Sequence, residues 1–364
     1  MSAEPEVTIV GGGVVGLACA LAFARRGAAV TLLEAQDRLA LAASGTNSGI
    51  LHTGFDSKPG ELETELILRA ALLRPPVLAA LGVPFARVGA LLTPHGEADR
   101  AVIAGLAANA AANGVEVHVR DGDGALEVPG EGITDPVAFA GALAAAAVRH
   151  GAATRTGVRV GEPVAGDMVV NAAGLGAGRV ARLHGDASFD VFPRKGEFFV
   201  FDVAPPEQIL LPVPTARTKG VLVFGTLDGR TIAGPTAVDL DEEDWSVRPE
   251  ARDEILAKAA AMHPPLAGAE PAFAYAGLRP AGRDGANYVV RRSDADPRLI
   301  HAAAIRSTGL TASLAIAERV VALAGLGDRP EDELRPGGDP AAGSASPWWR
   351  RSAEHRAALA GERA

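Results

Sequence analysis

"VTIVGGGVVGLACALAFARRGAAVTLLE", residues 7 to 34, constrains the fold of this chain more than any other stretch. A short apolar run, Val7 to Val10, meets three glycines in a row. An Ala- and Leu-rich segment continues to Arg26, and Gly27 stops it, as a glycine just past a helical run does. A second apolar run, "AAVTLLE", closes on Glu34. Strand, glycine turn, helix, strand and acid in that order is the parallel βαβ unit. The expected fold class is therefore α/β.

Gly11, Gly13 and Gly16 spell G-x-G-x-x-G directly after the strand, with Val14 and Val15 opening the helix. The first glycine allows a tight turn, the second lets backbone approach a pyrophosphate, and the third permits close helix–strand packing. The helix N-terminus offers N–H groups and the positive end of its dipole to phosphates. Glu34 can hold both ribose hydroxyls and would repel a 2′-phosphate. The bland alternative is a tight packing turn, but strand, helix and acid all in place favour dinucleotide binding. The unit alone does not separate NAD from FAD.

The rest of the chain narrows the function class. At 364 residues and 48% hydrophobic content it is long enough for two domains or one large composite one. A formal charge of −9 argues against nucleic acid as a partner. A single cysteine, Cys19, excludes a disulfide framework and a cysteine-ligated cluster, and no metal site is expected. It suits a reducing cytoplasm. The start, MSAEPEVTIVGGG, lacks a basic leader region, and no run of 18 apolar residues offers a membrane span.

Glu61 to Leu73 reads as a helix ended by Pro75-Pro76, and Pro136 to His150 as another. "DMVVNAAGLGAG" from Asp167 reads as a buried strand entering a glycine-rich turn at Gly174. Between Phe192 and Ala237, "GEFFVFDV", "GVLVFGTLDG" and "TIAGP" are short β-like runs. Late in the chain, Leu310, Leu314, Ala317, Val321 and Ala324 mark one face of an amphipathic helix. That helix starts at Gly309 amid a Thr/Ser cluster that includes Thr311. It is either an ordinary core helix or one whose N–H groups meet the edge of a flavin, where reduction deposits negative charge.

"SGTNSGILHTG", residues 44 to 54, sets one imidazole, His52, among small and hydroxyl residues with no helical or strand periodicity. Taken alone, His52 reads as a turn histidine satisfied by backbone. The other histidines, such as His184 and His301, sit in no motif and read as structural.

Seven segments, the opening βαβ unit, "SGTNSGILHTGFDSKPGEL", "VVNAAGLGAG", "RKGEF", "GVLVFGTLDGRTIAGPTA", "AYAGLRPAG" and "GLTASLAIAE", occur in this order. Together they resemble the D-amino-acid-oxidase-like superfamily of FAD enzymes, nearest the glycerol-3-phosphate dehydrogenase/oxidase and L-2-hydroxyglutarate oxidase branch. The resemblance implies FAD as cofactor and a discontinuous FAD-binding Rossmann domain carrying an inserted, largely antiparallel β substrate domain. The FAD domain would comprise 1–75, 134–188 and 277–326, the substrate domain 76–133 and 189–276, with 327–364 a linker and tail. It implies that the 44–54 loop wraps the reactive face of the flavin, with Ser44, Thr46, Asn47, Ser48 and Gly49 toward cofactor or loop backbone. Gly174, Gly309, Leu310 and Thr311 complete the implied cofactor site.

The implied reaction is dehydrogenation of a small anionic secondary alcohol, glycerol 3-phosphate or a 2-hydroxy acid. Hydride would pass to flavin N5 and the proton to His52. Arg279 in "GLRP" is the implied anion anchor, and Arg306 is a further candidate. Related chains commonly carry Ile-Glu-Ser-Pro-Gly where this one reads "IRSTG", so Arg306 replaces a carboxylate. Rival readings are an amino-acid or amine oxidase on the same scaffold and an inactive flavin-binding accessory protein, which the changed "IRSTG" would suit. The electron acceptor is open among oxygen, a quinone and a carrier.

The expected location is cytoplasmic, with one open question in the tail. "SPWWRRSAEHRAALAGERA" pairs Trp348 and Trp349 with arginines after a Pro/Gly-rich linker. One expectation is a peripheral contact with the inner face of the membrane; the other is docking on the body of the protein or on a partner subunit.

Overall fold

The computed structural model describes residues 4–215, 220–337, 346–351 and 354. The opening unit forms as expected. Glu6–Val10 is a strand, Val14–Ala24 a helix and Ala29–Leu33 a strand parallel to the first. Gly27 takes φ +71° after the helix, a conformation that costs glycine nothing. Four further strands complete this sheet, whose order is Val289–Arg292, Leu299–Ala303, Met168–Asn171, Glu6–Val10, Ala29–Leu33, Ala153–Arg155. All neighbours are parallel except the antiparallel Val289–Arg292 edge.

The helices Val14–Ala24, Leu62–Leu81, Pro136–Arg149 and Gly309–Leu323 contribute to one continuous core with this sheet. Alanine dominates it: Ala140, Ala142, Ala146, Ala312, Ala315 and Ala317 are all buried, which lets the helices approach closely. Phe23 and Phe139 are fully buried there, each stabilising by roughly 1.5–3 kcal/mol.

A second, nine-stranded sheet is built around Val191–Phe201, which pairs along ten residues with Phe273–Gly282. It is antiparallel throughout except where Ile209–Leu211 runs parallel to Ala90–Leu92. The whole Phe273–Gly282 strand belongs to this sheet, so the expected division at residue 277 falls inside a strand. A small sheet of Ile50–Leu51, Gly132–Thr134 and Phe85–Arg87 lies between the two and carries the 44–54 loop into place.

One expectation needs correction. The helix expected to stop before Pro75-Pro76 runs unbroken from Leu62 to Leu81. Its buried stripe, Leu66, Ile67, Ala70, Arg74, Leu78 and Leu81, continues through the prolines, which both face solvent. The carbonyls that lose an N–H partner to proline lie on that wet side, where water compensates, and packing outweighs propensity.

Candidate active site

A cavity of about 1290 Å³ opens at the C-terminal ends of the parallel strands, where a doubly wound sheet binds its ligands. Gly11, Gly13, Val14, Val15, Glu34, Ser44, Asn47, Gly174, Arg306, Gly309 and Leu310 all line it. At the βαβ turn, Gly11 has φ +114°, and a Cβ there would stand 2.3 Å from the Ala172 carbonyl oxygen. A Cβ on Gly16 would stand 2.0 Å from the Gly11 carbonyl oxygen. Neither position admits another residue without opening the turn. Glu34 is fixed at its strand end, accepting from Gly12 N at 2.6 Å and Gln36 N at 2.8 Å.

Two helix N-termini face this space. The Val14–Ala24 and Gly309–Leu323 helices begin at Gly13 and Thr308, and neither residue caps its own helix through a side-chain hydrogen bond. Thr308 instead donates to Glu63 Oε1 at 2.8 Å. Glu63 also takes Arg306 Nη2 and Asn287 Nδ2, each at 2.8 Å on Oε2. Burial opposes its charge, but the bonds from Asn287 and Thr308 and the Arg306 guanidinium hold the carboxyl below its usual range. Arg306 adopts φ +23°, a strained value for a non-glycine, and it keeps 41% of its side chain exposed.

His52 sits just past the Ile50–Leu51 strand. Its Nδ1 lies 2.9 Å from Glu131 Oε2, and the Glu131 side chain is fully buried. The other carboxylate oxygen accepts from Thr53 N at 2.7 Å and Thr53 Oγ1 at 2.8 Å. Arg74 fixes the backbone of the same residue: it donates to the His52 carbonyl at 2.9 Å and to the Thr311 carbonyl at 2.8 Å. Burial pushes its guanidinium down to about 10, partly offset by the Glu131 charge. His52 N donates to Thr311 Oγ1 at 3.1 Å. Loop, buried acid and the first turn of the Gly309–Leu323 helix are thus one rigid assembly.

The sequence matches the DAO family of FAD dependent oxidoreductases over residues 6–323. The chain belongs to that family. It is 28% identical over 362 residues to the glycerol 3-phosphate oxidase of Mycoplasma pneumoniae, covering 87% of this chain and 94% of that one. It is 26% identical over 271 residues to an L-2-hydroxyglutarate dehydrogenase of Salmonella houtenae, covering 64% of each. Among solved structures, the dithionite-reduced, FAD-bound L-alpha-glycerophosphate oxidase of Mycoplasma pneumoniae superposes with a TM-score of 0.82 at 26% identity. That match covers 92% of this chain and 96% of the other. The cofactor of this FAD-dependent oxidoreductase is FAD, and the residues present fit it: a cradle too tight for any side chain, an acid for ribose and a second helix N-terminus.

The expected cofactor residues divide into two sets. Gly11, Gly13, Val14, Val15, Glu34, Ser44, Asn47, Gly174, Gly309 and Leu310 are brought together around the cavity. Gly16, Thr46, Ser48, Gly49 and Thr311 stand behind it. Thr46 Oγ1 donates to the Ala42 carbonyl, Ser48 Oγ accepts from Ile50 N, and Thr311 holds His52 N. Gly49, at φ +78°, passes so close to Thr134 that a Cβ would meet its carbonyl oxygen at 2.4 Å. His52 is likewise outside the cavity lining, tied to it through Thr311.

Arg306 lines the cavity, but Arg279 does not. The Arg279 guanidinium turns along its own sheet and donates to the carbonyls of Arg194, Lys195 and Thr236 at 3.2, 3.0 and 2.8 Å. Burial pushes it down to about 10.

Glu131, Arg74 and Glu63 escaped the sequence reading. A signal for Glu131 existed in "PGEGI", where glycines flank a lone acid. A Cβ on Gly130 would meet Thr53 at 2.7 Å, and one on Gly132 would meet the Phe85 ring at 2.4 Å. Both are glycine because neighbours press against the acid's backbone. The remaining histidines that are buried are structural as expected: His301 meets Asp186 at 3.0 Å and His184 meets Asp296 at 2.9 Å. Cys19 is core, its thiol pushed up to about 12 by burial.

Trp348 and Trp349 are 4% and 6% exposed, packed against Tyr275 and Phe273 of the second sheet. Their rings are turned to the body of the protein. Among the described residues no helix is long and apolar enough to cross a membrane.

Proposed function

We propose that this FAD-dependent oxidoreductase dehydrogenates a small anionic secondary alcohol, glycerol 3-phosphate or a 2-hydroxy acid, with His52 as the general base. The observation that carries the reading is the His52–Glu131 pair. A fully buried carboxylate at 2.9 Å from Nδ1 keeps the proton on that nitrogen and leaves Nε2 as the basic one. It also stabilises the imidazolium formed when the base accepts a proton, as the buried acid of a Ser–His–Asp triad does. Arg74 prevents the loop from drifting, and such positioning matters because a misplacement of about 1 Å can cost roughly 100-fold in rate. FAD, when bound, supplies the two-electron acceptor.

The anion is assigned to Arg306, which reaches the cavity beside the Gly309–Leu323 helix N-terminus. Glu63 orients it without burying it. The similarity to glycerol 3-phosphate oxidase and L-2-hydroxyglutarate dehydrogenase supports an alcohol carrying a negative tail. His52→Ala tests the assignment. It is expected to retain FAD and to slow anaerobic flavin reduction by about 10²–10⁴-fold, the usual worth of a general base. Full FAD content with an unchanged reduction rate would remove His52 from the chemistry.

A further inference from the structure

A second pocket opens beside the His52 loop and shares no lining residue with the FAD cavity. Ala71, Arg74 and Leu78 reach it from the Leu62–Leu81 helix, and Leu51, Phe85 and Arg87 from strands of the small sheet. Its volume is about 180 Å³, the share of about six water molecules at about 30 Å³ each.

The charge in this pocket is one-sided. Two guanidiniums line it and, among the described residues, no acid does. Arg87 is exposed and makes no ion pair or side-chain hydrogen bond among the described residues. Arg74 is 7% exposed and commits both terminal nitrogens to the His52 and Thr311 carbonyls, so its Nε is left without an acceptor. That Nε is not among the sealed, unpaired atoms of the protein, and the open space that Arg74 meets is this pocket. Glu131 attracts Arg74 through space only, because its carboxylate oxygens are taken by His52 and Thr53. A guanidinium held among apolar groups with no carboxylate in contact has a desolvation cost that a bound anion offsets. In a chain of formal charge −9, such a pocket is a distinct local field.

The walls narrow the ligand. Leu51, Ala71, Leu78 and Phe85 present hydrocarbon, and the Thr53 hydroxyl already donates to Glu131. A guanidinium fork suits a carboxylate, whereas a phosphate would turn further polar oxygens toward these apolar walls. We infer that this pocket binds a small carboxylate with a short hydrocarbon tail, its oxygens meeting Arg74 and Arg87 and its tail lying against Leu51, Leu78 and Phe85. Arg74 ties the pocket to the active site, since the same side chain holds the His52 carbonyl and the first turn of the Gly309–Leu323 helix. The site is separate from the substrate reading above and does not depend on it.

Calorimetric titration of butyrate into the FAD-loaded protein at low ionic strength tests the site. Arg87→Gln removes the charge of an exposed side chain, and Ala71→Leu fills the pocket from the helix; full FAD content in each reports an intact fold. The wild type is expected to bind butyrate. Its affinity should fall about tenfold in Arg87→Gln, the scale of one charge-assisted hydrogen bond, and comparably in Ala71→Leu. Arg306→Gln should leave this binding in place, because Arg306 lines the FAD cavity and not this pocket. Inorganic phosphate and butan-1-ol, each lacking one half of the ligand, should bind far more weakly. Absence of butyrate binding overturns the inference. So does binding that Arg87→Gln and Ala71→Leu leave unchanged, or binding abolished by Arg306→Gln, which would assign the anion to the FAD cavity. Phosphate binding as tight as that of butyrate would overturn the carboxylate assignment.

Discussion

Glu131→Gln isolates what the buried acid does for His52. The substitution keeps shape and removes one charge from a side chain that is fully buried. Two bonds from Thr53 converge on one carboxylate oxygen, and His52 Nδ1 meets the other. A glutamine has one oxygen, so it must choose. Turning its NH2 toward Thr53 sets donor against donor at the Thr53 backbone N–H and forfeits that bond, at about 1–3 kcal/mol for the group left unsatisfied, while the Thr53 hydroxyl can rotate to accept. Turning its oxygen toward Thr53 keeps both and presents NH2 to the imidazole. The second orientation wins. Nδ1 must then accept, the ring proton moves to Nε2, and the basic nitrogen is lost.

In triad enzymes the corresponding wrong tautomer costs about 10⁴-fold, and a general base contributes about 10²–10⁴-fold, so flavin reduction in Glu131→Gln should slow by about 10²–10⁴-fold. FAD binding should persist, because Glu131 does not line the cavity. Anaerobic stopped-flow mixing with substrate, alongside heat-released FAD from the same preparation, reads both quantities. Wild-type reduction rates in a variant with full FAD content would refute the tautomer argument.

Gly16→Ala should yield protein with little bound FAD, since its Cβ would stand 2.0 Å from the Gly11 carbonyl oxygen; normal flavin content would contradict the cradle geometry. Arg74→Leu should destabilise by about 2–4 kcal/mol in denaturant unfolding, because it orphans two buried carbonyls; a change below about 0.5 kcal/mol would show that Arg74 is not what ties the loop to the helix. Glu63→Gln tests a pH dependence. The folded carboxyl titrates below its unfolded value near 4.5, so its contribution is fully present above that pH and lost as pH falls through the folded pKa. The stability gap between wild type and Glu63→Gln should therefore be full near neutrality and close in acid; a gap independent of pH would remove the Arg306–Glu63 pair as its source.

What the sequence revealed follows from how local its causes are. The βαβ unit was legible because turn glycine, helix run and strand-end acid lie within 28 successive positions and each is dictated by its neighbours. The late helix showed through its period, and the short β runs through their apolar, turn-bounded pattern. Pro75-Pro76 misled because a local rule was overruled by the far-off Gly309–Leu323 helix, against which the buried stripe packs. Glu131 was missed because it meets His52 across 79 residues through the small sheet, a distance no spacing rule spans. Arg279 was named through a motif, but which way a strand residue turns depends on its partners, and these are carbonyls on a neighbouring strand and beyond. The tryptophan pair stood out as a feature, while its docking site depended on Phe273 and Tyr275 of a distant strand.

The most direct test of the central claim is an anaerobic substrate panel on the FAD-loaded protein. Glycerol 3-phosphate, several 2-hydroxy acids, their uncharged analogues and a set of amino acids are mixed with it, and bleaching of the flavin absorbance is followed. The expected result is fast bleaching by at least one anionic secondary alcohol, slow or absent bleaching by its uncharged analogue, and none by amino acids. Bleaching by amino acids alone, with every anionic alcohol inert, would contradict the account.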